Sequence, residues 1–371
     1  MMDNTQKTIV VSAVNLRKGG TLTILRQCLH YLSGLALGGE YRVVALVHKR
    51  ELCDYEGVEY IEMPEIIQSW GKRLWCEYVT MNRISKQLDP VYLWLSLHDT
   101  SPRVEAERQA VYCQTSFPFY KWSWQDFRFD YKIPLFACFT RFAYRINVHS
   151  NRYLIVQQEW LRKGFSKMLG VDETKFIVAP PQRKPLTAEA ERMDKNRFTF
   201  FYPATPDCHK NFELLCEAAR LLEQEVGKDV FQVLLTVKGT ENKYAEWLKK
   251  EWGGVASIVF KGFLSKSQLK GVYEGADCLV FPSKVETWGL PISEFSPMHK
   301  PMLLADLPYA HETAAGSSCT AFFQVSDAME LKQRMKKILS GCKDDFNVIE
   351  SVVPGEPFAE SWHDLFELLL K

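Results

Sequence analysis

The chain has 371 residues, 46% of them hydrophobic and 25% charged, and a formal net charge of +1. This composition suits a folded protein of about two domains and excludes both a disordered chain and a polycation that binds nucleic acid through bulk charge. No apolar run reaches the ~18 residues that a bilayer span requires.

Residues 1–6 are polar and lead into a short strand-like run, 8–14, followed by Arg17-Lys18. That is not the pattern of a cleaved secretory signal. Residues 9–14 read as the first strand, and 41–48, 91–97 and 109–113 as later ones; 153–157 and 175–178 complete this half. Ala179-Pro180-Pro181 and a charged, irregular stretch to Asn196 read as a linker. A second alternating series follows: strand 198–202, helix 212–225, strand 231–237, helix 242–251, strand 258–260, helix 266–275, then strands 278–281 and 302–305. Strands alternating with helices imply parallel sheets, hence two doubly wound α/β domains, assigned to 1–185 and 186–355. Residues 358–370 have the apolar spacing of an amphipathic helix, within a terminal segment 356–371. The ten cysteines stand singly, without metal-ligand spacing, which suggests unpaired thiols in a reducing cytoplasm.

The densest chemistry lies at 280–295, Val-Phe-Pro-Ser-Lys-Val-Glu-Thr-Trp-Gly-Leu-Pro-Ile-Ser-Glu-Phe. An apolar strand runs into a glycine turn, and a helix starts at about Pro291. Free backbone N–H groups at such a start attract anions. Glu286 and Glu294 bracket the turn, eight positions apart. Carboxylates repel phosphate but accept hydrogen bonds from hydroxyls, so the pattern fits a nucleotide sugar.

This string closely resembles the donor-site signature of the retaining GT-B glycosyltransferases of the group 1, or family 4, type: apolar strand, Pro-Ser, Glu, aromatic, Gly-Leu-Pro, second Glu. The resemblance implies two Rossmann-like domains facing an interdomain cleft, with the terminal helix crossing back to the first domain. It implies that Glu294 binds the ribose hydroxyls and Glu286 those of the transferred sugar. Backbone groups of Thr287, Trp288, Gly289 and Leu290 would cradle the phosphates and sugar. In Tyr202-Pro203-Ala204-Thr205-Pro206-Asp207-Cys208-His209-Lys210-Asn211, Lys210 matches the family's second diphosphate cation, with Asn211 beside it; the first cation, an Arg, has no counterpart. Lys238 and His209 are the available substitutes. Gly262-Phe263-Leu264 resembles the nucleobase segment, with Phe263 or Leu264 as the apolar face.

In the first half, Gly19-Gly20 follows the first strand and lets a ligand approach the backbone, but it lacks the third glycine of a dinucleotide fingerprint. Gln114 occupies the place where many relatives carry a cleft histidine, and His98 is the alternative. Residues 117–184 hold 12 Lys+Arg against 5 Asp+Glu, a difference of +7, among many aromatics. Basic charge with aromatics suits an anionic membrane surface or a lipid-pyrophosphate acceptor. No nucleic-acid motif accompanies it.

The expectation is therefore a retaining, metal-independent hexosyltransferase with no cofactor. Its donor is a nucleotide-diphosphate sugar, UDP- or GDP-linked, and its acceptor a glycan or lipid-linked glycan of surface polysaccharide synthesis. Its expected place is cytoplasmic, with peripheral contact at the inner membrane face. The alternatives are a nucleotide-sugar epimerase of the same architecture and a degenerate, noncatalytic nucleotide-sugar binder.

Overall fold

In the computed structural model, which describes residues 6–88, 90–182 and 196–371, the apolar runs become the strands of two parallel sheets. The first sheet contains β1 (Lys7–Ala13), β2 (Tyr41–Val47), β3 (Val58–Glu62), β4 (Val91–Ser96), β5 (Arg108–Tyr112), β6 (Tyr153–Val156) and β7 (Phe176–Val178), in the order β3-β2-β1-β4-β5-β6-β7. The second contains β8 (Phe198–Tyr202), β9 (Phe231–Leu235), β10 (Ile258–Phe260), β11 (Cys278–Phe281), β12 (Met302–Ala305) and β13 (Thr320–Phe323), in the order β10-β9-β8-β11-β12-β13. Strands covered on both faces must be apolar throughout, and every residue of β4, β9 and β11 is buried. In each sheet the order reverses once, between β1 and β4 and between β8 and β11. Loops leaving neighbouring strands diverge there, opening a crevice at the carboxyl ends.

The chain divides into two units. One comprises Met1–Pro118, Phe139–Gln182 and Pro354–Lys371; the other comprises Phe119–Cys138 and Arg183–Val353. Reading 1–185 as one domain does not anticipate that Phe119–Cys138 clusters with the second unit, and the 185/186 boundary lies outside the described residues. Within that segment, Asp126 closes a capping box with Ser123 at the start of the helix Trp124–Asp130. Phe129 then packs on Tyr244 and Trp247, with ring centroids at 5.3 and 4.9 Å.

The terminal helix, Trp362–Leu370, begins later than its apolar spacing suggests, because Ser361 and Asp364 form a capping box that fixes its start. The residues before it run extended along β7, where the Val178 N–H donates to the Pro357 carbonyl at 3.1 Å. Trp362, Leu365, Phe366 and Leu369 are buried in the first unit's core beside Leu25, Leu29 and Leu32 of the first helix, Gly19–Leu37. Arg108 and Tyr92 donate to the carbonyl of Leu370, satisfying a helix-end acceptor. This helix is therefore part of the core. Phe366→Ala should destabilise the first unit by about 3–5 kcal/mol. Denaturant unfolding measures this, and a cost typical of a surface site would contradict the packing.

Candidate active site

The loops leaving β8 and β11 meet at the reversal point of the second sheet and are stitched together by hydrogen bonds. The Lys284 N–H donates to the His209 carbonyl at 2.8 Å, and the Asn211 side-chain amide donates to Pro282 O at 3.1 Å and Val325 O at 2.9 Å. Two buried tyrosines hold the loops from beneath: Tyr202 donates to the Lys210 carbonyl and Tyr309 to the Ser283 carbonyl, each at 2.7 Å. The two backbones thus hold each other in register.

Across this seam the Lys210 ammonium meets the Glu286 carboxylate at 2.5 Å, both side chains being about six-sevenths covered (15% and 14% exposed). The structure therefore brings together the residue expected to grip phosphate and the residue expected to contact the sugar. At such burial the two charges need each other, because removing one leaves the other uncompensated. Gly289 follows with φ +87°, and an added β-carbon would lie 3.2 Å from Ile292 Cδ1 and 3.6 Å from the rings of Phe281 and Tyr309. Both the left-handed turn and the close packing require glycine. Thr287 and Trp288 are half-buried and Leu290 is exposed. The Trp288 indole donates to Ser293 Oγ at 3.2 Å.

The helix after this turn, Leu290–Phe295, is only six residues long and continues as a 3-10 turn, Ser296–Met298. It starts one residue before the expected Pro291. A helix this short supplies less dipole than the sequence pattern suggests. Glu294 lies on this helix and accepts a hydrogen bond from the Tyr273 hydroxyl at 2.9 Å. Burial raises its pKa, and the Tyr273 hydroxyl and the Lys266 ammonium oppose the rise only in part. A half-buried carboxylate with spare acceptor sites suits a pair of vicinal hydroxyls.

Of the remaining donor-side residues, Phe263 stands 91% exposed on the turn after β10, an open apolar face, whereas Leu264 is buried in the core. Lys238 is exposed and sits beside that turn: a β-carbon at Gly262 would lie 3.5 Å from that of Lys238. Asn211 requires a correction. It is 2% exposed with φ +60°, and both amide hydrogens are committed to backbone carbonyls, so it fastens the loops instead of contacting donor. His209 is half-buried, and desolvation, with the Lys210 and Lys284 ammoniums adding to it, pushes its pKa well below the usual range, so it is no cationic substitute for the missing Arg.

In the first unit, Gly19 has φ +65° and opens the first helix; it and Gly20 are exposed, with nothing within 4 Å of an added β-carbon. His98 and Gln114 end β4 and β5 but serve the protein itself. His98 is 1% exposed, its Nδ1 lying 3.6 Å from Glu77 and 3.3 Å from Thr100 Oγ1. Burial pushes its pKa down to about 4, outweighing the attraction of Glu77. A neutral, enclosed imidazole cannot touch substrate, so His98 is a bracing residue. The Gln114 side-chain amide donates to Leu97 O at 2.6 Å and its N–H to Asp99 Oδ1 at 2.5 Å, tying the strand ends together.

Residues outside the motifs read in the sequence support these loops. Lys284 pairs with Glu213 at 3.0 Å, and Tyr244 donates to the same carboxylate. Tyr120, from the segment inserted into this unit, packs edge-on to His209 with centroids at 6.3 Å and donates to Asp126 at 2.8 Å. Only the Pro-Ser-Lys context of Lys284 could have suggested it; Tyr120 is distant in sequence and part of no motif. Among the described residues, no group of three or more His, Cys, Asp or Glu side chains could hold a metal ion.

Two doubly wound sheets, with a cation and two carboxylates at the reversal point of the second, define a GT-B glycosyltransferase architecture. The family model of the glycosyl transferases group 1 matches residues 164–351, just over half of the chain, and the chain belongs to that family. A comparison with curated proteins finds no match. Solved structures similar in fold include a sucrose-phosphate synthase from Thermosynechococcus elongatus, with TM-score 0.63, 14% identity and 90% of each chain covered. WaaG, a glycosyltransferase involved in lipopolysaccharide biosynthesis, gives TM-score 0.62 and 13% identity over 90% of each chain. HepE from Anabaena, in complex with UDP and glucose, gives TM-score 0.58 and 13% identity over 91% of this chain and 90% of that one.

The raised pKa of Glu294 has a consequence for stability. A carboxyl whose folded pKa exceeds its unfolded value contributes stability at low pH and loses it as pH rises through the folded pKa. Glu294→Gln keeps an acceptor for Tyr273 without the charge. The variant should therefore be more stable than the parent at pH 7, with the gap closing as pH falls. Denaturant unfolding at a series of pH values measures this; a gap that widens on acidification would contradict it.

Proposed function

We propose that the protein transfers a hexose from a nucleotide-diphosphate sugar to a hydroxyl of a glycan or lipid-linked glycan, with retention of anomeric configuration and without a metal ion. The observation that carries this reading is the Lys210–Glu286 pair at the reversal point of the second sheet. In this reading a bound donor separates the pair. The Lys210 ammonium turns to the diphosphate, and Glu286 accepts hydrogen bonds from the sugar hydroxyls. Glu294 takes the ribose hydroxyls, backbone N–H groups of Thr287 to Leu290 face the phosphates, and Phe263 offers its exposed ring to the base.

The bond between the anomeric carbon and the diphosphate oxygen breaks, and the acceptor oxygen bonds to the same face of that carbon. The acceptor proton passes to the departing phosphate. Lys210 and the backbone donors stabilise the negative charge that develops on the leaving group, which is where fixed dipoles act most strongly. The side chains mainly position the reactants. HepE was solved with UDP-glucose, which supports placing UDP-sugars first among the donors to be tested. WaaG is involved in lipopolysaccharide biosynthesis, which supports a surface-glycan acceptor.

The test is thermal stabilisation by UDP-, GDP-, ADP-, dTDP- and CMP-sugars with EDTA present, because a ligand raises stability according to its concentration over its dissociation constant. We expect one nucleotide class to stabilise the protein. Glu294→Ala should weaken that ligand roughly 10- to 150-fold, the usual cost of a hydrogen bond to a charged group. Glu286→Ala should abolish sugar transfer while nucleotide binding survives. Absence of stabilisation by any donor, or normal transfer by both variants, would overturn the reading. Conversion of the donor sugar without acceptor would replace it with an epimerase.

A further inference from the structure

A second ion pair joins the same two loops of the second unit in the opposite sense. Lys210 belongs to the loop after β8 and Glu286 to the loop after β11. Lys284, also after β11, pairs at 3.0 Å with Glu213, in the first turn of the helix Phe212–Val226 that follows β8. Each side of the seam thus gives one cation and receives one. The two pairs are similarly enclosed: Lys284 and Glu213 are 23% and 17% exposed, against 15% and 14% for Lys210 and Glu286.

The two pairs are not equally easy to open. Among the described residues, the Glu286 carboxylate accepts a hydrogen bond from Lys210 only. Glu213 accepts from both Lys284 and the Tyr244 hydroxyl, and the positive end of its 15-residue helix favours a carboxylate there. Tyr244 is itself fixed: its hydroxyl accepts from the Phe212 N–H at 3.0 Å, and Phe129 packs on its ring. The Lys284 backbone also spans the seam, donating to the His209 carbonyl at 2.8 Å, whereas the Lys210 N–H donates to Asp207 O within its own loop. A ligand that competes for a cation therefore opens the Lys210 pair first. We infer from this asymmetry that Lys284 is a positioning residue: its pair with Glu213 keeps the loop of Glu286 seated on the loop of Lys210 when Lys210 turns to a diphosphate. The inference rests on the proposed exchange of Lys210; the joint hold of the two pairs on the seam does not depend on it.

The experiment has a ligand-free arm, so its failure and a failure of the transferase reading are distinguishable. Amide hydrogen exchange of residues 280–290 is compared in the parent, Lys210→Met, Lys284→Met and the double variant, with thermal melts to check folding. Either pair holds the seam alone, so the double variant should exchange faster than the two single effects multiplied. The excess should be roughly 10- to 150-fold, the usual range for a hydrogen bond to a charged group. Effects that simply multiply would overturn the proposal. The second arm uses whichever UDP-, GDP-, ADP-, dTDP- or CMP-sugar stabilises the parent and follows release of its sugar to water, which needs no acceptor. Lys284→Met should leave the affinity for the sugar-free nucleotide unchanged and lower kcat on the order of 100-fold, the cost of a misplaced reacting group. Lys284→Arg, which keeps a cation for Glu213, should restore most of it. If Lys284→Met instead weakens nucleotide binding as much as Lys210→Met does, Lys284 grips the diphosphate itself and the proposal fails. If no donor binds or turns over, the transferase reading fails, and the exchange rates alone decide whether the two pairs hold the seam together.

Discussion

The contact between Lys210 and Glu286 orders the rest of the candidate site. It joins two loops that leave neighbouring strands at the point where the second sheet reverses direction, and each partner is too enclosed to be left alone. A strand order that sends one loop to either side of the sheet creates the opening. Tyr202, Tyr309 and Asn211 then fix the loop backbones so that the charged side chains are the parts left to respond to a ligand. In the proposed function, this pair exchanges one internal contact for two external ones, ammonium to phosphate and carboxylate to hydroxyl.

The segment Phe119–Cys138 adds a constraint that the doubly wound plan does not require. It belongs by its contacts to the second unit, where Tyr120 leans on His209 and Phe129 packs with Tyr244 and Trp247. Tyr244 in turn reaches Glu213, the partner of Lys284. The loop that carries Lys210 is thus backed by aromatic packing from a stretch that lies some ninety positions earlier in the chain. The terminal helix plays a comparable part in the first unit, where its four apolar residues complete the core.

Much of this was legible in the residue order. The buried strands announced themselves by continuous apolar runs, and the string from Val280 to Phe295 carried both carboxylates and the glycine that its φ demands. Two edge strands escaped, for physical reasons. Val58–Glu62 is short and interrupts its apolar residues with Glu59 and Glu62, and Thr320–Phe323 has only four residues. The site was misread where a side chain's partner is distant in sequence. Asn211 looked like a ligand because it follows Lys210, yet its amide serves Pro282 and Val325; His98 looked like a cleft histidine, yet Glu77 and burial enclose it. Spacing reports which residues share a turn, while burial depends on what arrives from elsewhere in the chain.

In the proposed function, Glu286 holds Lys210 until a diphosphate takes it. Calorimetric titration of a sugar-free nucleoside diphosphate into the parent, Lys210→Met, Glu286→Gln and the double variant tests this directly. Binding should be weaker for Lys210→Met and unchanged or tighter for Glu286→Gln, because the competing carboxylate is gone. In the double variant, the Glu286 change should then have no further effect. Equal losses in both single variants would show that the pair binds the nucleotide as a unit and would contradict the exchange.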